Sequence, residues 1–123
     1  MFQGLRTLIY RVDDLDKAKK WYTEVLGVKP YFDEPFYVGF NVGGFELGLD
    51  PDMKGVTKGS NILAYWGVKD IDISYKRILE LGAQQLSELQ DVGGGIRLGT
   101  VTDPFGNVVG IIENPQFKID GDV

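Results

Sequence analysis

The chain has 123 residues, 43% hydrophobic and 25% charged, which fits one globular domain able to bury a core without disulfides or metals. Its net charge of -5 disfavours nucleic acid, whose phosphates it would repel, and no apolar stretch approaches a membrane span. There is no cysteine, so no disulfide framework, and no histidine.

Leu5 to Val12 alternates as a strand, with Leu5, Thr7, Ile9 and Arg11 on one face and Arg6, Leu8, Tyr10 and Val12 on the other. Asp14 is placed to cap a helix whose apolar stripe is Leu15, Ala18, Tyr22, Val25 and Leu26. Lys17, Lys19 and Lys20 fall off that stripe onto a solvated face, Trp21 and Tyr22 read as packing residues, and Gly27 suits the helix end. Strands are expected at Val28–Phe32, Phe36–Val42 and Phe45–Leu49, the last two joined by the two-residue turn Gly43-Gly44. Residues 51–60, with Pro51, Gly55 and Gly59 and no periodicity, read as a linker.

The second half repeats the first. Val12-x-Asp14-Leu15-Asp16 ending at Leu26-Gly27 returns as Val68-x-Asp70-Ile71-Asp72 ending at Leu81-Gly82, with the Val-x-Asp starts 56 residues apart. The pattern predicts a strand at Ile62–Val68, a capping Asp70, and a helix striped by Ile71, Tyr75, Ile78 and Leu81. Strands follow at Gln84–Leu89, Ile96–Thr102 and Val108–Glu113, the last two joined by the turn Asp103-Pro104-Phe105-Gly106-Asn107. Gly93-Gly94-Gly95 precedes a strand rather than a helix, so it reads as a hairpin and not a phosphate loop. The polar residues beyond Pro115 are expected to fray.

The fold class is therefore α+β: tandem βαβββ modules, about 4–50 and 61–115, within a single domain over 1–123. A sheet with one helix on one face leaves its other face to be covered. A curved mixed sheet around a cavity is the expected answer, and such a concavity suits a small molecule.

The tandem, the segment V-x-D-L-D-K-A…W-Y…L-G over Val12–Gly27, and the turn D-P-F-G-N over Asp103–Asn107 resemble the glyoxalase / bleomycin-resistance / extradiol-dioxygenase (vicinal oxygen chelate) superfamily over about Leu5 to Pro115. The resemblance implies a metal held by a His or Gln from the first strand of a module and a Glu from its last, chelating two vicinal substrate oxygens. Carried over, those positions are Thr7 and Gly48 in module one, and Leu63 and Gly110 in module two. Glu46 lies two residues from Gly48 on the same face. None of the four is a competent ligand apart from the weak Thr7 hydroxyl, so no metal cofactor is expected; an all-oxygen site for Mg²⁺ or Ca²⁺ remains an alternative.

If Thr7 faces a cavity, alternation brings Leu5, Ile9 and Arg11 with it, then Asn61, Leu63 and Tyr65, and Val108, Gly110, Ile112 and Asn114. Arg11, Glu46 and Tyr65 would be its polar handles. Gly48 and Gly110 would either enlarge the space or relieve crowding in a curved sheet. Arg97 could bind an anion, as the resemblance implies, or pair with an acid to hold structure. Of the neighbours Tyr65 and Trp66, one could stack on a planar ligand while the other packs. Glu46 is either a general base or an ordinary strand carboxylate. The leading expectation is a cytoplasmic, metal-free protein that encloses an apolar or aromatic small molecule, in a homodimer whose pockets use both chains, with no nucleic-acid or membrane partner. The rival is a lyase, isomerase or dioxygenase of the glyoxalase type, and a third reading is a protein–protein contact domain.

Overall fold

Asp14, just past the first strand, starts the first helix with its side chain. Its backbone is extended (φ -135°) and its Oδ1 accepts from Lys17 N at 3.1 Å, satisfying one of the open N–H groups of the first turn. The computed structural model describes residues 1–59 and 61–119, and the chain divides into two units, Met1–Lys58 and from Gly59 onward.

Unit one runs β1 (Thr7–Arg11), α1 (Leu15–Leu26), β2 (Phe32–Glu34), β3 (Tyr37–Val42) and β4 (Phe45–Asp50), in the sheet order β1-β4-β3-β2. β1 lies parallel to β4, and the other neighbours are antiparallel. Helix α1 stops where Gly27 turns left-handed (φ 71°) and donates its N–H to Thr23 O at 3.0 Å. Gly43 and Gly44 both have positive φ, 61° and 92°, as a two-residue hairpin requires. That hairpin pairs Val42 with Phe45 and so sets the whole β3–β4 register. The core is the sheet face under α1: Tyr10, Val12, Val38, Phe40, Leu47 and Leu49, with Ala18 and Tyr22 from the helix. The Tyr10 and Tyr22 rings stack at 5.9 Å.

Unit two runs β5 (Tyr65–Gly67), α2 (Ile71–Glu80), β6 (Gln84–Asp91), β7 (Arg97–Thr102) and β8 (Val108–Glu113), ordered β5-β8-β7-β6 with β5 parallel to β8. Asp70 repeats the cap, accepting from Ile73 N at 3.2 Å, and Glu113 Oε1 accepts from Ile71 N at 3.0 Å. Its core is Ile71, Tyr75, Ile78, Ala83, Val101, Val109 and Ile111. The β7–β8 turn folds around Asp103, which is 5% exposed: Oδ1 accepts from Phe105 N (2.9 Å) and Asn107 N (2.7 Å), and Oδ2 from Asn107 Nδ2 (3.0 Å).

The repeat is the same in register as in sequence. Ile9 faces Gly48 across β1–β4, and Tyr65, 56 residues after Ile9, faces Gly110 across β5–β8.

β1 is shorter than the sequence expectation, Thr7–Arg11 rather than Leu5–Val12, and three further strands differ by two residues or more at one end. β2 is Phe32–Glu34 rather than Val28–Phe32, because Pro30 has no N–H for a ladder and the first bond to β3 is Tyr31 N to Gly39 O at 2.9 Å. β5 is Tyr65–Gly67 rather than Ile62–Val68, so Asn61 and Leu63 precede the strand. β6 extends to Asp91, with register shifts between Gln85 and Ser87 and between Ser87 and Gln90. Ser60 of the expected linker, and residues 120–123 of the expected frayed end, lie outside the described residues.

Candidate functional site

The face of unit one away from α1 carries a carboxylate surrounded by hydroxyls. Glu46 on β4 is the direct partner of Thr7 on β1 and of Asn41 on β3. Glu46 Oε1 accepts from Thr7 Oγ1 at 3.0 Å and from Tyr37 Oη at 2.8 Å, while Oε2 accepts from Tyr31 Oη. A cavity of about 270 Å³ opens over this cluster, lined by Arg6, Thr7, Tyr31, Asn41, Phe45 and Glu46.

Two glycines make the cluster fit. Neither Gly39 nor Gly48 has positive φ, so what they supply is space rather than backbone freedom. A Cβ on Gly48 would lie 1.9 Å from Tyr37 Oη, and one on Gly39 would lie 2.9 Å from Glu46 Oε2 and 3.1 Å from the Tyr31 ring. The space left by Gly48 is filled by the Tyr37 phenol, which crosses diagonally from β3 onto β4.

The electrostatics follow from the donors. The Tyr31 hydroxyl holds the Glu46 carboxyl below its ordinary pKa of 4.5, against the opposing effect of burial, with Tyr37 and Thr7 adding to the lowering. Burial raises the pKa of Tyr37, and its bond to Glu46 raises it further; Tyr31 is raised first by its own bond to Glu46. At neutral pH the cluster is therefore one carboxylate and protonated phenols. A carboxylate made more acidic in this way is a weaker general base.

Of the eight residues singled out by sequence, Thr7, Arg11, Glu46 and Gly48 lie in unit one, and Leu63, Tyr65, Arg97 and Gly110 in unit two. Thr7, Glu46 and Gly48 come together as described. Arg11, four residues along β1 from Thr7, pairs with Asp50 (3.8 Å) and donates to Asp52 O at 2.7 Å, and it does not line the cavity over Glu46. In unit two, Gly110 packs under Tyr65: a Cβ there would lie 2.6 Å from the Tyr65 ring and 2.6 Å from Ala64 O. Leu63 is 46% exposed and outside the strand. The Arg97 guanidinium forms a two-pronged pair with Asp72 at 2.7 and 3.0 Å, tying β7 to the start of α2. That pair holds the Asp72 carboxyl below, and the Arg97 guanidinium above, their usual values.

Tyr31, Tyr37 and Gly39 are the members that sequence reasoning passed over. The hairpin register was the available signal for two of them. With Val42 opposite Phe45, alternation puts Tyr37, Gly39 and Asn41 on the same face as Glu46 and Gly48.

These residues do not fit a divalent metal. Thr7, Gly48, Leu63 and Gly110 offer one hydroxyl among them, and Glu46 is the only carboxylate lining the cavity among the described residues. Its oxygens already accept three hydroxyls, and no group of three His, Cys, Asp or Glu side chains suited to a metal occurs among the described residues.

An uncharacterized protein of Mycobacterium bovis is 30% identical to this chain over 112 residues, 78% of this chain and 74% of its own length. An uncharacterized protein of Mycobacterium tuberculosis matches at the same identity, and the chain spans 66% of that protein. Among solved structures, a glyoxalase-related enzyme from Fulvimarina pelagi superposes with a TM-score of 0.80 at 25% identity, over 98% of this chain and 95% of that one. The genomically encoded fosfomycin resistance protein from Listeria monocytogenes shares the fold with a TM-score of 0.79 at 16% identity, covering 94% and 97%. No helix among the described residues is long and apolar enough to cross a membrane. The family model for the Glyoxalase/Bleomycin resistance protein/Dioxygenase superfamily matches residues 4–111, so the tandem modules and their paired glycines are those of a chain that belongs to this superfamily.

Proposed function

We propose that the chain is a small-molecule-binding protein that takes an apolar or aromatic ligand over the open face of module one without a resident metal. The observation that carries this reading is the cavity of about 270 Å³ whose floor is Glu46, held by Thr7, Tyr31 and Tyr37. A few fixed polar groups beside apolar surface are what a small ligand needs for orientation and burial. Phe45 and Tyr31 (63% exposed), which both line the cavity, supply that surface. Acid–base catalysis through Glu46 is disfavoured by its lowered pKa.

Titrating the ¹⁵N-labelled chain with phenol and indole tests the reading. The amides of Thr7, Asn41, Phe45 and Glu46 are expected to shift in a saturable way. Shifts confined to other parts of the chain, or none at millimolar probe, would sink it. Stoichiometric Ni, Zn, Fe or Mn in protein purified without chelators would overturn the metal-free part.

The same proposal includes a cytoplasmic location and a homodimer, the dimer being in keeping with the exposed apolar Leu5, Phe36, Ile62 and Leu63. Sedimentation at micromolar concentration showing monomer alone would remove the dimer from it.

A further inference from the structure

We infer that the Glu46 subsite selects ligands by charge, taking a primary or secondary ammonium group attached to an apolar or aromatic body. The inference rests on the proposed function and adds the chemical class of the ligand.

A carboxylate has about four acceptor positions. Glu46 uses two on Oε1, for Thr7 and Tyr37, and one on Oε2, for Tyr31. One acceptor position therefore remains, on Oε2. Gly39 makes room for that oxygen and the Tyr31 ring together, since a Cβ there would lie 2.9 Å from Oε2 and 3.1 Å from the ring.

The charge is unbalanced as well. The three hydroxyls supply dipoles and no positive charge, and among the described residues Glu46 has no ion pair. Arg6 lines the same cavity, but its guanidinium donates to Gln3 Oε1 at 3.2 Å, to Leu5 O at 3.2 Å and to Gln3 O at 3.5 Å. The chain's net charge of -5 adds to the preference for a cation.

An ammonium satisfies both deficits at once: it donates to the open position on Oε2 and neutralises the carboxylate in a charge-assisted bond. The exposed Tyr31 ring beside it offers a further surface for a cation. A neutral donor meets only the first deficit, and an anion meets neither.

The test uses three probes of one shape, titrated into the full ¹⁵N-labelled chain at neutral pH: 2-phenylethylamine, 2-phenylethanol and phenylacetate. The ammonium is expected to bind about tenfold more tightly than the alcohol, with phenylacetate weakest. Glu46→Gln should abolish the advantage of the ammonium over the alcohol, whatever it does to the alcohol itself. Added salt should narrow the gap between ammonium and alcohol in the unsubstituted protein. Equal binding of ammonium and alcohol, or a preference that survives Glu46→Gln, overturns the inference and leaves the proposed function standing. If none of the three probes binds, both fall. Should Glu46→Gln fail to fold, the unsubstituted protein decides: a preference indifferent to salt overturns the inference.

Discussion

Thr7 and Glu46, 39 residues apart in the chain, are direct partners across the parallel β1–β4 pair, and the Thr7 hydroxyl donates to the Glu46 carboxylate at 3.0 Å. In the metal-using arrangement that the sequence resemblance implies, a first-strand residue and a last-strand carboxylate would share a cation. Here the first-strand residue brings a proton donor instead, and two phenols complete the shell.

The Gly48 position should tolerate no side chain while Tyr37 is present. Gly48→Ala puts a Cβ 1.9 Å from Tyr37 Oη in a buried strand and is expected to destabilise the protein by about 1–3 kcal/mol. Combining it with Tyr37→Ala should cost clearly less than the sum of the two single changes, read by urea unfolding in a double-mutant cycle. Additive costs would show that the clash is not what makes glycine necessary.

Acid should reach the cluster through Glu46. Its native pKa lies below 4.5, so the unfolded chain takes up the proton first as pH falls. The stabilisation is complete well above pH 4.5 and is lost as pH falls through the native value. Glu46→Gln should flatten this part of the stability profile, measured by urea unfolding from about pH 7 to about pH 3. Tyr37 acts at the other end. Its native pKa is raised above 10.0, so stability should fall as pH climbs past 10.0, and Tyr37→Phe should blunt that loss.

The two helix caps should be equivalent because the repeat makes them so. Asp14→Ala and Asp70→Ala each remove one acceptor for a first-turn N–H, at Lys17 and Ile73, and each should cost about 1 kcal/mol. Thermal unfolding of the two variants should give similar losses, and a cost at one cap alone would contradict that equivalence.

Asp103→Ala should be the most damaging of these changes. It leaves the N–H groups of Phe105 and Asn107 and the Asn107 amide without their acceptor in a turn where Asp103 and Asn107 are buried, for an expected loss of about 3 kcal/mol. Chemical denaturation reads the loss directly, and a variant within about 0.5 kcal/mol of the parent, as at an ordinary surface site, would contradict it.

Local rules were enough for much of this protein. Asp14 and Asp70 announce helices because a short carboxylate before an apolar stripe at helical spacing has one good use. Gly43-Gly44 announces a two-residue hairpin, and that turn alone puts Tyr37, Gly39 and Asn41 on the face of Glu46 and Gly48. The resemblance to the superfamily, carried over position by position, likewise matched Gly48 with Gly110. Tertiary structure decided the rest, because the remaining relationships depend on long-range register. Thr7 meets Glu46 only through a parallel pairing set by how α1 crosses over the sheet, which no turn encodes. Tyr31 reaches Glu46 only because β2 begins after Pro30 and packs its ring over Gly39. The sequence by itself therefore determined the modules, their caps and the missing ligand types. Packing of β1, β3 and the segment leading into β2 around β4 decided that the carboxylate of Glu46 would be held by three hydroxyls.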